Sequence, residues 1–142
     1  MFSAAQVDLH ASGLHLQIIE LARTRGPDVY DNWIQVRVDI EVPNFRGQIR
    51  WSVLENELLT LAADLERLNK HVGDEHQLSF TPVEPGVTLH LHMNSRGQIE
   101  AAYRFTDTSG GPYGPELSGA CGFDQTYLAS IARSLKALAK GS

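Results

Sequence analysis

The chain has 142 residues, of which 42% are hydrophobic and 20% charged, and its formal net charge is −5. That length fits one domain spanning 1–142, and a chain of this size buries about 68% of its unfolded surface, enough to carry its own core; plentiful apolar residues and a small net charge argue against disorder. Twelve basic residues against 17 acidic ones, with a pI near 5.6, disfavour nucleic acid as a partner. No run approaches the roughly 18 apolar residues of a membrane helix.

Cys121 is the single cysteine, so neither an internal disulfide nor a cysteine-rich zinc site can form. Met1 to His10 has no basic segment followed by an apolar core, and no signal peptide is expected. Both points lead to the expectation of a cytoplasmic protein.

The first pattern in chain order is a hairpin. Val7, Leu9 and Ala11 alternate with Asp8 and His10, and Leu14, Leu16 and Ile18 alternate with His15 and Gln17. A two-residue turn at Ser12-Gly13 pairs Ala11 with Leu14, His10 with His15, Leu9 with Leu16 and Val7 with Ile18. Every apolar residue then shares one face, which fixes the register. Residues 22–32 form a polar connection broken at Gly26-Pro27. Ile34, Val36, Val38, Ile40 and Val42 then point one way, and Trp33, Gln35, Arg37, Asp39 and Glu41 the other. A turn at Pro43-Asn44 leads into Phe45, Gly47, Ile49 and Trp51, which alternate with Arg46, Gln48, Arg50 and Ser52. The two segments form an antiparallel pair.

At Ser52 the period changes. Ser52 and Glu55 have capping-box spacing, and Leu54, Leu58, Leu61, Leu65 and Leu68 make a helical stripe. The helix is expected over 53–71, with Gly73 stopping it. Strands resume at 77–81 and 87–93. A turn at 94–97 leads to a strand with Ile99, Ala101, Tyr103 and Phe105 on one face. Residues 107–115 are a glycine-rich loop, 116–122 a short strand, and Asp124 an N-cap for a final helix striped by Leu128, Ile131, Leu135 and Leu138. Phe123 and Leu128 have hydrophobic-staple spacing. No internal repeat is visible. The fold class is α+β: a single curved, mainly antiparallel β-sheet with two amphipathic helices packed on one face. The opposite, polar face carries Arg37, Asp39, Glu41, Arg50, His90, His92, Glu100 and Arg104.

Each candidate for chemistry has a simpler account. His90 and His92 project from one strand face, and His10 faces His15 across the first hairpin. No local carboxylate or cysteine completes a ligand set, so these read as solvated histidines, and no metal or cofactor is expected. Cys121 lies between Ala120 and Gly122 in an apolar stretch, which suits a small packed side chain better than a nucleophile, although Asp124 and a helix N-terminus close in sequence could lower the thiol pKa. Asp39 and Glu41 have Arg37, Arg50 and Arg104 nearby, so ion pairing explains them better than acid–base catalysis. Residues 110–114 lack a P-loop lysine and a dinucleotide fingerprint. Tyr113 in that loop and Trp33 at the start of its strand remain candidates for contact with a partner, whereas Trp51 belongs to the core. No catalytic residue is expected.

The run Asp31-Asn32-Trp33-Ile34-Gln35-Val36-Arg37-Val38 resembles the D-x-N-W-L-x-V-x-V opening of small bacterial proteins of the WapI-type immunity family. Trp51, the leucine-striped helix from Leu54 to Leu68, Phe80 to Pro85, and the helix entry Phe123 to Leu128 extend the resemblance over about residues 5–140. The resemblance implies a cytoplasmic, non-enzymatic protein that binds a cognate toxin domain and inhibits it by occlusion. It carries over no individual binding residue. A contact surface is expected among Trp33, Arg37, Asp39, Glu41, Arg50, His90, His92, Arg104 and Tyr113, with the loops 22–32 and 107–115 beside it, on a monomer or small homo-oligomer. The competing readings are a small-ligand or metal-binding module, which requires a cavity or a histidine site, and an enzyme built on Cys121 or on Asp39 and Glu41.

Overall fold

The computed structural model describes residues 6–111 and 113–141. Met1 to Ala5 of the N-terminal segment, Pro112 of the glycine-rich loop and the terminal Ser142 lie outside the described residues. The chain runs through the same order twice. Four strands, β1 (Gln6–Ala11), β2 (Leu14–Thr24), β3 (Trp33–Val42) and β4 (Phe45–Leu54), precede helix α1 (Glu55–Lys70). Four more, β5 (His76–Phe80), β6 (Val87–Met93), β7 (Gln98–Thr106) and β8 (Glu116–Asp124), precede helix α2 (Leu128–Lys140). All pairings are antiparallel between consecutive strands.

The expected single curved sheet is therefore replaced by two four-stranded sheets, β1–β4 and β5–β8. The reason is α1. Its 16 residues advance the chain by about 24 Å between β4 and β5, and β5 pairs with β6 and not with β4. The polar residues expected on one face are in turn divided between the outer faces of two sheets.

Local chemistry explains each hairpin. Ser12 and Gly13 both have positive φ, 47° and 84°, the conformation of the tight turn whose twist suits a hairpin. The β1–β2 register is the one the alternation demands, with His10 opposite His15 and Val7 opposite Ile18. Asn44, with φ 71°, comes after Pro43 at the β3–β4 turn. Phe45, beside that turn, is exposed despite sharing parity with Trp51.

The inner faces of both sheets and one stripe of each helix merge into one apolar cluster. It contains Ile34, Val36, Val38, Ile40, Trp51 and Val53 from one sheet, and Leu91, Met93, Ile99 and Phe105 from the other. Leu58, Leu61, Leu65, Leu128, Leu135 and Leu138 supply the helical cover. The sheets approach one another at two margins. At one, the Ser12 hydroxyl donates to the Gly122 carbonyl, which links the β1–β2 turn to β8. At the other, the Trp51 indole N–H donates to the Glu84 carbonyl at 2.7 Å, and its ring meets Phe80 edge-on at 6.2 Å.

Helix α1 starts later than its leucine stripe suggested. β4 continues through Leu54, so Ser52 pairs with Gln35 in the ladder and cannot act as the cap. Glu57 takes over. One carboxylate oxygen accepts the Leu54 N–H at 3.0 Å and the other the Val83 N–H at 2.8 Å, which binds the β5–β6 loop to the helix start. Gly73 lies in the turn after α1 with φ 114°. At the second helix, Asp124 accepts the Thr126 N–H at 2.9 Å but caps a 3-10 turn, Gln125–Tyr127, before α2 begins at Leu128.

The far end of α2 is held by an arginine from β2. A bulge between Glu20 and Ala22 shifts the register, so Glu20 lies opposite Val36 and Arg23 opposite Ile34, both on the inward parity. The Arg23 guanidinium is 11% exposed and makes five hydrogen bonds: two to Glu20, one to Glu55, and one each to the carbonyls of Leu138 and Ala139. Arg25 adds a bond to Glu55 and one to the Lys140 carbonyl. Two positive side chains thus satisfy the last carbonyls of α2, where the helix dipole is negative. Hydrogen bonds that Arg23 donates to Glu20 hold the Arg23 pKa above its ordinary value, despite the opposing effect of burial. Burial alone would raise the Glu55 pKa, but the bonds from Arg25 and Arg23 outweigh it and leave the carboxyl below its usual 4.5.

These contacts set measurable costs. A Cβ on Gly86 would lie 2.4 Å from the Trp51 ring, so Gly86→Ala should cost about 1–3 kcal/mol in urea unfolding. Gly110→Ala, with open space around it, should change stability by under about 0.5 kcal/mol. Arg23→Met should cost about 2 kcal/mol at neutral pH, as expected for lost charged hydrogen bonds at a mostly buried site. Because the folded-state pKa of Glu55 is depressed, its share of that cost is fully present above 4.5 and disappears as pH falls through the lower folded value. The gap between wild type and Arg23→Met should narrow in unfolding curves taken below about pH 4.

Candidate functional site

Cross-strand ladders cover the outer face of the β1–β4 sheet. One row runs His10, His15, Glu41, Arg46; the next runs Asp8, Gln17, Asp39, Gln48; a third carries Ile19, Arg37 and Arg50. Alternation places them there, because their neighbours Ile40, Val38 and Ile49 must face the core. Arg37 makes a two-pronged contact with Asp39 at 3.2 Å, Gln48 donates to the same carboxylate at 3.0 Å, and Arg46 lies 3.3 Å from Glu41. The rows enclose a shallow depression of about 460 Å³ lined by His15, Gln17, Asp39, Glu41, Arg46 and Gln48.

Two flanking segments belong to this face. The 107–115 loop, although it joins β7 to β8, brings Thr108 and Ser109 against Gln35, Arg50 and Ser52. Asp107 anchors it. Its carboxyl accepts from the Ser109 hydroxyl at 2.6 Å and from the Ser109 N–H at 2.9 Å, and these bonds, aided by Arg50, hold its pKa below the ordinary range. Tyr113 in this loop is 98% exposed. At the opposite end, the Trp33 indole donates to the Tyr30 carbonyl at 2.9 Å and its ring is half-buried, so Trp33 closes the sheet end beside the 25–32 segment.

The remaining candidates sit elsewhere. His90, His92 and Arg104 lie on the outer face of the β5–β8 sheet. The His90 ring bonds the Ser79 hydroxyl at 2.9 Å, the His92 ring bonds Glu75 at 2.6 Å, and Arg104 lies 3.9 Å from Glu116. The two histidines thus have separate partners. The expectation that no carboxylate stands near a histidine pair is corrected. Asp8 joins His10 and His15, and Asp74 joins His71 and His76. The signal for the first was present in the sequence, since Asp8 and His10 share a strand face.

The chemistry that remains is limited. Asp39 and Glu41 each have a basic partner on an open face, so neither is held in a desolvated pocket. Between the sheets and helices lies a wholly apolar cavity of about 90 Å³, lined by Leu9, Leu16, Leu89, Tyr103, Cys121 and Phe123 among others. Typical ligand pockets start near 300 Å³, so this space is a packing gap too small for a metabolite. Cys121 contributes to its wall, and burial pushes its thiol pKa up. A raised pKa reduces the thiolate fraction, the opposite of what a nucleophile needs. The folded protein should therefore react with a thiol reagent at pH 8 at least about tenfold more slowly than the urea-unfolded chain.

Among the described residues, no helix is long and apolar enough to cross a membrane. No curated protein and no solved structure matches the chain. The profile of the Immunity protein WapI-like family matches residues 7–140, which takes in both sheets and both helices. The chain belongs to the WapI-like immunity protein family.

Proposed function

We propose that this protein binds a cognate bacterial toxin domain in the cytoplasm and neutralises it by covering it, without catalysis of its own. The observation that carries this reading is the family match over residues 7–140. The outer face of the β1–β4 sheet supports it as the contact surface. Its strands reach 10 and 11 residues, and Arg37, Asp39, Glu41 and Arg50 offer a patterned set of charges. Such patterns select a partner and speed encounter. Tyr113 supplies an exposed aromatic side chain in the flanking loop, and Trp33 a fixed one. His90, His92 and Arg104 face away from this surface on the other sheet and serve as controls. The protein acts as a monomer or small homo-oligomer.

The test is calorimetric titration with toxin domains of bacteria that carry proteins of this family, together with a growth assay in cells expressing each domain. Tight binding and rescue of growth are expected. Arg37→Ala with Asp39→Ala, and Tyr113→Ala separately, should each weaken binding by about tenfold or more, near 1.4 kcal/mol. His90→Ala with Arg104→Ala should stay within about twofold. Absence of binding, or loss confined to the second sheet, would overturn the assignment.

A further inference from the structure

We propose that the β1–β2 hairpin binds one late first-row divalent cation, zinc being the natural candidate, through Asp8, His10 and His15. The backbone imposes this constellation. Asp8 and His10 are two apart on a strand and share its outer face, and His15 lies directly opposite His10 in the register. The two imidazoles stack with centroids 3.8 Å apart, and the same Asp8 oxygen is hydrogen-bonded to His15 Nε2 and lies near His10 Nε2. That oxygen lies 2.8 Å from His15 Nε2 and 3.5 Å from His10 Nε2. Ligand atoms at zinc bond lengths of about 2.0–2.1 Å in tetrahedral geometry stand roughly 3.3 Å apart, and the two separations bracket that value. One ligand atom from each residue falls within 4.8 Å of the others, a spread that side-chain rotation can narrow.

Two imidazoles and one carboxylate suit zinc and its neighbours better than magnesium or calcium, which prefer oxygen alone. Three protein ligands leave a fourth position for water. It would open beside the depression that His15 shares with Gln17 and Asp39. The other three-residue cluster, His71, Asp74 and His76, is weaker. Two of its members sit in the turn after α1 rather than on paired strands, and its rings are tilted at 4.6 Å. The hairpin site shares its sheet face with the proposed toxin contact but needs no partner, so either can fail alone.

The experiment titrates untagged, metal-stripped protein with zinc chloride by calorimetry and with cobalt(II) by visible absorption. One zinc per chain is expected, with cobalt bands of a low-coordinate ion and no thiolate charge-transfer band. A hundredfold excess of zinc over Kd should raise Tm by about 5–10 °C. His10→Ala with His15→Ala should lose about 100-fold or more in affinity, and Asp8→Asn about tenfold. Both variants should keep the wild-type far-UV spectrum and metal-free Tm, because these side chains lie outside the core. His71→Ala with His76→Ala should retain the site. The proposal stands only on that pattern. No zinc binding by the wild type at about 1 mM, retention in the hairpin variant, or loss in the His71 and His76 variant overturns it.

Discussion

Each four-stranded sheet has one apolar face, and a single pair of helices must cover both. That constraint organises the molecule. Neither sheet can bury Val36, Val38 and Ile40, or Leu91, Met93 and Ile99, by itself. α1 and α2 pack together and present leucines to both. The polar ends of those helices must then find partners near the same seam. Arg23 meets the need, because it reaches the first turn of α1 through Glu55 and the last carbonyls of α2 at once. The bulge at Leu21 is what turns Arg23 inward. Without it, strict alternation would aim the guanidinium at solvent and leave the end of α2 to water.

The same arrangement shapes the surface. With their inner faces committed to the core, the sheets can offer partners only their outer faces and the loops around them. The two outer faces are not equivalent. The β1–β4 face holds interlocked arginines and carboxylates, and the 107–115 loop crosses from the second half of the chain to border it at Arg50. The β5–β8 face carries smaller side chains, among them Ser79, Ala102, Ser118 and Ala120. Half-buried ion pairs on an open face, such as Arg37 with Asp39, add little to stability. The core makes no such offer. The gap beside Cys121 is apolar and small, and burial raises the pKa of that thiol.

Much of this was legible in the sequence, because two-residue alternation is a local property. The β1–β2 register, the inward set on β3, Trp51 in the core and the leucine stripes all derive from period and turn chemistry alone. The family resemblance was carried by the same elements. Capping was less legible. Ser52 and Glu55 have the right spacing, but the ladder to Gln35 claims Ser52, and Glu57 caps instead. Of the candidate contact residues, Arg37, Asp39, Glu41 and Arg50 were brought onto one sheet, and Tyr113 onto a loop at its border. His90, His92 and Arg104 were carried to the other sheet.

The sequence by itself determined which residues face the core, where the hairpins turn, and that two amphipathic helices succeed two runs of strands. Only the tertiary structure decided that the strands divide into two sheets and that Arg23 joins both helices. The physical reason is range. Alternation and turn preference act over a few residues, whereas sheet division depends on how far a helix carries the chain before pairing resumes. Which face a side chain shares is written in its strand, but which partners stand opposite is settled when distant segments compete for the same edge.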